Sequence, residues 1–277
     1  MKTAILLVTY NSEPFLDKCI AAIDAQTVPV NLIQIVDTGS KHLDYLKPFT
    51  MRPHVKFMKA EKDAGFCRGN NIGFRHLPKE IDLLILLNPD CFIPPDFIEK
   101  TISFMEKKPS CGGFSALLEK YDLKDDRPAG IIDSAGITRS WYGKWYDEKQ
   151  GDLVSSIQLT SSRQVNALCG ALFALRTKAA NEVAFPSGDL FDPKFYMYKE
   201  DIDLSLRLTE KKWELWMDPK LIAHHCRGWN SQSRKMMPKH LRLASARNEC
   251  ILQWRLKSPL PILYSSLKYL AVKGLNI

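Results

Sequence analysis

Four short apolar runs, residues 4–9, 32–36, 55–58 and 83–87, divide the first third of the chain, with amphipathic stretches between them. The last of them, Leu-Leu-Ile-Leu-Leu, is aliphatic throughout, as a strand buried on both faces requires. Residues 13–25 place Phe15, Leu16, Ile20 and Ile23 at helical spacing, and Gly69 through Phe74 opens a second helix. This order predicts an α/β domain, a Rossmann-like and mostly parallel central sheet flanked by helices. Sheets of that kind bind ligands beyond the carboxyl ends of their strands, beside a topological switch point. The polar residues that end the runs are therefore the first candidates for function: Thr9-Tyr10-Asn11, Asp37 and Asn88-Pro89-Asp90.

The middle of the chain changes character. Residues 119–162 are polar and weakly periodic, with an aromatic cluster at Trp141, Tyr142, Trp145 and Tyr146. They read as a long irregular insertion, either functional or disordered. Regular patterning resumes over 165–175, and 201–210 reads as a helix. From Met236 onward amphipathic helical spacing dominates. The expected organisation is a main domain over 1–235, with a first half (1–115) and a second half (116–235), followed by an amphipathic helical extension (236–277).

Lys and Arg number 39 against 31 Asp and Glu, a net charge of +8. The surplus favours an anionic partner, whether nucleic acid, membrane surface or phosphorylated ligand. It is concentrated late, because residues 227–273 contain a single acid, Glu249. No helix-turn-helix, zinc finger or RNP motif accompanies it, so nucleic acid is not the expected partner. Seven cysteines without a C-x-x-C pair argue against a disulfide framework or structural zinc and for a reducing compartment. No apolar stretch reaches the roughly 18–20 residues of a membrane span. The expected location is cytoplasmic.

Four constellations carry possible chemistry, each with a plainer reading beside it. Asp90, ending a buried strand, is a hard oxygen ligand suited to Mg²⁺ or Mn²⁺ beside a diphosphate, and Asn-Pro-Asp is equally a turn sequence. Glu200, Asp201 and Asp203 open a helix, where acids are ordinary dipole partners but also stand ready to accept a proton. The segment 62–73, with Gly65, Gly69 and Gly73, can bring backbone N–H groups to a phosphate or can simply turn into a helix. His224-His225 can give a metal a nitrogen or can be structural.

Taken in order, these segments resemble the family 2 glycosyltransferases, in particular their bacterial rhamnosyltransferase-like branch. Val8-Thr9-Tyr10-Asn11-Ser12 is similar to the opening motif, Val36-Asp37-Thr38-Gly39-Ser40 to the second nucleotide-contacting segment, and residues 64–73 to the glycine-asparagine stretch. Leu87-Asn88-Pro89-Asp90 resembles a variant of the metal-binding D-x-D. Phe191-Asp192 through Asp203-Leu204 resembles the long acidic block, and Asp218-Pro219, His224 and Ser231 resemble the closing pattern. The resemblance implies a GT-A fold and inversion at the anomeric carbon. It implies that Thr9, Tyr10 and Asn11 line the nucleotide, that Asp37 holds its base, and that Gly65, Arg68, Asn71 and Asn88 lie toward the diphosphate. Asp90 and His224 become metal ligands, and Asp201, with Glu200 beside it, the general base. Asn88 departs from the first acid of D-x-D, and the adjacent His225 leaves the nitrogen ligand open by one position.

The reaction so implied is direct displacement of a nucleoside diphosphate by a hydroxyl of a glycan or lipid-linked acceptor. A UDP-sugar or dTDP-rhamnose is the suggested donor. Trp141 and Trp145 are candidates for stacking on the acceptor sugar, and also for packing the insertion onto the core. The basic C-terminal stretch suggests docking on the inner face of an anionic membrane. The rival reading is a non-catalytic sugar-nucleotide-binding scaffold of the same fold, against which the presence of Asp37, Asp90 and Asp201 counts.

Overall fold

Aliphatic residues buried on both faces turn the early runs into adjacent strands. The computed structural model describes residues 1–61, 64–158, 160–227 and 237–275. Asp63 of the glycine-bearing segment and Ser231 of the closing pattern lie outside the described residues. The elements in the first half are β1 (Thr3–Thr9), α1 (Leu16–Asp24), β2 (Leu32–Asp37), α2 (Lys47–Thr50), β3 (Val55–Lys59), α3 (Gly65–Arg75), β4 (Leu83–Leu87), β5 (Cys91–Phe92) and α4 (Phe97–Lys107). Then follow β6 (Cys111–Asp122), β7 (Arg127–Ser134), β8 (Ile137–Arg139), β9 (Trp145–Asp147), β10 (Arg163–Gln164), β11 (Leu172–Arg176), α5 (Thr177–Val183), α6 (Glu200–Glu210), β12 (Glu214–His225), α7 (Lys239–Arg255) and α8 (Pro259–Leu275).

One continuous sheet runs β10-β12-β6-β11-β4-β1-β2-β3. Strands β3, β2, β1 and β4 are parallel neighbours, and the order reverses between β1 and β4, which places the switch point at Thr9 and Asn88. Strand β11 enters antiparallel between β4 and β6, while β6 and β12 pair in parallel. The short β5 adds to β12, setting His225 opposite Cys91 beside Asp90.

The glycines of α3 have a packing role that the sequence reading did not separate from phosphate binding. A Cβ on Gly69 would lie 2.6 Å from Val8, and one on Gly73 would lie 2.3 Å from Leu6. Two turns of α3 therefore seat directly on β1, which only glycine permits.

Residues 119–162 are not an irregular insertion. The end of β6 pairs with β7, β8 pairs with β9, and Ile132, Ala135, Ile137 and Trp145 are buried in the main core. The strands are short, and their apolar residues face a core assembled from distant sequence, so local periodicity gave no signal.

The helices after residue 236 also belong to the body of the protein. Helix α7 buries Ser245, Ala246, Asn248, Leu252 and Gln253, and the Gln253 amide donates to the Gly143 carbonyl at 2.5 Å. Helix α8 is tied to α7 by an ion pair between Lys268 and the buried Glu249. No helix of the described residues is long and apolar enough to cross a membrane.

Candidate active site

Asn88 and Asp90 follow β4 at the switch point. Backbone N–H of Asn88 donates to the Ala171 carbonyl at 2.9 Å. The preceding residue, Gly170, donates its N–H to Asp201 Oδ2 at 3.0 Å. Consecutive residues thus hold the acid that opens α6 and the segment that bears Asp90, which brings the two sequence motifs near one another.

On the β4 side, Asp90 Oδ1 faces His225 Nε2 at 3.5 Å. The other ring nitrogen, Nδ1, donates to Asp133 Oδ2 at 2.8 Å, since a carboxylate can only accept. Nε2 is then left with a lone pair aimed at a carboxylate oxygen. Two acceptors in that arrangement call for a positive charge between them. The structure expresses this through a proton: burial opposes protonation of His225, but Asp90 and Asp133 hold its pKa at about 9. A hard divalent cation fits the same place, with carboxylate and imidazole as ligands and a carboxylate behind the imidazole. Among the described residues no cluster of three or more His, Cys, Asp or Glu forms a complete protein cage, so the remaining positions would fall to phosphate and water.

His224 points elsewhere. Its Nε2 lies 3.5 Å from Glu119, and its ring stands 5.7 Å from that of Tyr121. Successive residues of a strand face opposite sides, so only one of the pair can meet Asp90, and it is His225.

Asp133 and Arg227 complete this arrangement and were missed by sequence reasoning. Arg227 Nε lies 2.9 Å from Asp133 Oδ1 and its Nη1 2.8 Å from Asp147 Oδ2. Both carboxylates come from residues 119–162, which read in sequence as a polar, weakly periodic insertion. Nothing local marks them, because their partners lie some eighty to ninety residues away.

The α6 side carries Glu200 and Asp201. Glu200 is buried, with Oε2 lacking a hydrogen-bond partner. Burial, reinforced by the charge of Asp201, pushes it up to about 8, so it keeps its proton at neutral pH. Asp201 is half-buried; burial also raises its pKa, while the N–H groups of Gly170 and Ile202 favour its charged form. Burial raises both acids, and Asp201 is the one that accepts two backbone N–H donors.

Several expected contacts fall differently. Asp37 is fully buried, and its carboxylate accepts from Thr9 Oγ1 at 3.1 Å, Ser40 Oγ at 2.5 Å, and the N–H groups of Gly39 and Ser40 at 3.0 Å. These four internal donors make Asp37, with Thr9, the organiser of the turn that follows β2. Asn71 is buried and exchanges amide hydrogen bonds with the backbone of Phe191, at 2.9 and 2.8 Å. Trp145 is buried in the core and offers no face to an acceptor, whereas Trp141 is 84% exposed. Asn11, at φ 48°, spends its Oδ1 on the N–H of Lys41. Tyr10 and Arg68 remain exposed, and the guanidinium makes a long 3.9 Å pairing with Glu61. Gly65, at φ +76°, lies under the ring of Tyr196.

An acid–imidazole pair suited to a cation and two neighbouring acids thus lie near the switch point. The chain belongs to Glycosyl transferase family 2, which it matches over residues 4–180. It is 22% identical over 235 residues to the N-acetylglucosaminyl-diphospho-decaprenol L-rhamnosyltransferase of Mycobacterium tuberculosis, across 80% of this chain and 75% of that protein. It superposes on GalNAc-T7, crystallised with UDP, GalNAc and Mn²⁺, at a TM-score of 0.67 and 15% identity. That match covers 90% of this chain and 47% of the other, so the chain spans about half of GalNAc-T7. The mannosyltransferase PcManGT of Pyrobaculum calidifontis, in complex with GDP-Man and Mn²⁺, matches at a TM-score of 0.60 and 13% identity, across 99% of this chain and 73% of that one. The fold is GT-A, and the protein is a glycosyltransferase.

Proposed function

We propose that this glycosyltransferase inverts configuration while moving a sugar from a nucleoside-diphosphate donor to a hydroxyl of a glycan or lipid-linked acceptor, in cell-surface polysaccharide synthesis. The observation that carries this is the bridge at Gly170 and Ala171, whose backbone meets Asp201 on one side and the segment bearing Asp90 on the other. The rhamnosyltransferase relative supports dTDP-rhamnose as the donor, with UDP-sugars next.

Asp90 and His225 would hold Mg²⁺ or Mn²⁺, which supplies positive charge against the departing diphosphate. The exposed guanidinium of Arg68 is available to that diphosphate, and the exposed ring of Tyr10 to the nucleotide base. Asp201 accepts the proton of the attacking hydroxyl, a contribution of about 10²–10⁴-fold. Glu200, protonated beside it, limits the pair to one negative charge.

Calorimetric titration with UDP, dTDP and GDP, each with Mn²⁺ and with EDTA, tests the donor side. One nucleotide binding in a metal-dependent way identifies the base, and Asp90→Ala should abolish the metal-dependent increment. Asp201→Asn should bind that nucleotide normally and lose at least about 10²-fold in turnover; full turnover would remove Asp201 from the base role.

The acceptor side is proposed to work against an anionic bilayer. Helix α8 turns Pro261, Ser265 and Val272 inward and leaves Leu260, Leu263, Leu267 and Leu270 each at least half exposed. Residues 239–275 carry seven Lys and Arg against one acid, Glu249, which is itself buried on Lys268. An apolar row with a cationic surround suits an anionic lipid surface. The full chain should co-sediment with phosphatidylglycerol vesicles and not with phosphatidylcholine, and Leu263→Glu/Leu267→Glu should release it. A leucine-dependent dimer in light scattering would assign the row to self-association instead.

A further inference from the structure

The segment that delivers Glu200 and Asp201 is held in an unfavourable backbone shape. Tyr198 and Lys199 stand at φ 70° and 72°, two successive non-glycine residues in the left-handed region, where the side chain crowds the following carbonyl. Such conformations persist only where the surroundings over-determine them.

The restraint comes from α7. Asn248, 2% exposed, donates its amide N–H groups to the carbonyls of Met197 at 3.0 Å and Tyr198 at 2.9 Å. One turn or two further on, Arg255 pairs with Asp192 and Asp203, on either side of the same segment. The opposite side is held by α3, where the N–H of Cys67 donates to the Tyr196 carbonyl at 3.2 Å. The segment is therefore gripped between the helix that seats on the nucleotide half and the first C-terminal helix.

We propose that Asn248 is a positioning residue for the reaction: by clamping the Met197 and Tyr198 carbonyls it sustains the left-handed pair and so orients Asp201. This rests on the reading of Asp201 as the base. It touches neither donor nor acceptor, and acts through the backbone.

The test uses the full chain with the dTDP- or UDP-sugar that the wild type turns over, reading nucleoside diphosphate release. Asn248→Ala should lower kcat by about 10²-fold, the scale expected for an ångström of misplacement. The KM for donor and the affinity for the free nucleoside diphosphate should stay unchanged. Hydrogen exchange of the amides over 195–203 should rise at least about tenfold, while that of β1 and β4 holds. Lys199→Gly, which adopts φ 72° without a Cβ penalty, should restore about tenfold of the lost kcat in the Asn248→Ala background, a rescue that general loosening of the fold would not show. If Asn248→Ala does not fold, Asn248→Asp keeps the size, removes the donors and is read the same way. Wild-type kcat, or loss of nucleotide affinity in step with kcat, overturns the proposal. Asp201→Asn is measured alongside: full activity there defeats the base assignment itself, whereas an inactive Asp201→Asn beside an active Asn248→Ala defeats the clamp alone.

Discussion

Replacing Glu200 with Gln should stabilise the protein, and by an amount that grows with pH. In the folded chain burial and the neighbouring Asp201 hold the Glu200 carboxyl at about 8, against an ordinary value of 4.5. Between those values the folded state keeps a proton that the unfolded state has released. Folding stability then falls as pH rises, by about 1.4 kcal/mol per pH unit for each such proton. Below pH 4.5 both states are protonated and nothing is lost; above pH 8 the full penalty of about 3–5 kcal/mol stands. Gln keeps the size of the protonated acid and does not titrate. The variant should therefore match the wild type near pH 5 and exceed it by several degrees in Tm at pH 8.5, taking about 2–4 °C per kcal/mol for a chain approaching this size. Thermal or urea unfolding at half-unit pH steps, in metal- and nucleotide-free buffer, gives the difference curve. A Tm difference that is flat from pH 5 to 8.5 would show that Glu200 does not hold its proton in the folded state.

Three further outcomes follow from the geometry. Asp133→Asn should weaken Mn²⁺-dependent nucleotide binding by about 10–100-fold, because it loosens the imidazole behind the proposed metal position; calorimetry with and without EDTA reads this directly, and unchanged affinity would remove Asp133 from that role. Asn71→Ala breaks two buried hydrogen bonds to Phe191 and should cost about 2–3 kcal/mol in urea unfolding, with nucleotide affinity in the surviving folded protein unchanged. Gly73→Ala puts a methyl group against Leu6 and should cost about 1–3 kcal/mol; a neutral result would mean that α3 can lift off β1 without penalty.

The nucleotide half was legible because its strands are continuous aliphatic runs. Residues 83–87 were read with the bounds they have in the fold, and the helix expected over 13–25 occupies Leu16–Asp24. Strand β12 was not legible, since Asp218-Pro219 interrupts it and its register slips between Asp218 and Ile222. Within the site, Asp90 and Asp201 were visible because each stands at the abrupt end or start of an element. Asp133, Arg227 and Asn248 were not, because a charged or amide side chain in a polar stretch looks the same whether it faces water or a partner a hundred residues away. That His225 faces Asp90 while His224 faces Glu119 depends on the alternation of side chains along β12, which two adjacent histidines in a sequence do not reveal. Asp37 and Asn71 were visible as polar residues in conspicuous places, but their hydrogen-bond capacity is taken by the fold itself.

Strand β11 joins β4 on one edge and β6 on the other, so the two halves share a backbone ladder. Enzymes built from separate lobes can admit and expel substrate by swinging about a hinge. Here no such hinge exists between the strands, because opening the molecule along β11 would tear interstrand hydrogen bonds out of the middle of a sheet. On the proposed reading, donor and product would pass the segments above the strand ends, while the sheet beneath Asp90 keeps its ladder intact. That division lets the rim change its choice of sugar or acceptor over evolutionary time without recalibrating the chemistry beneath it.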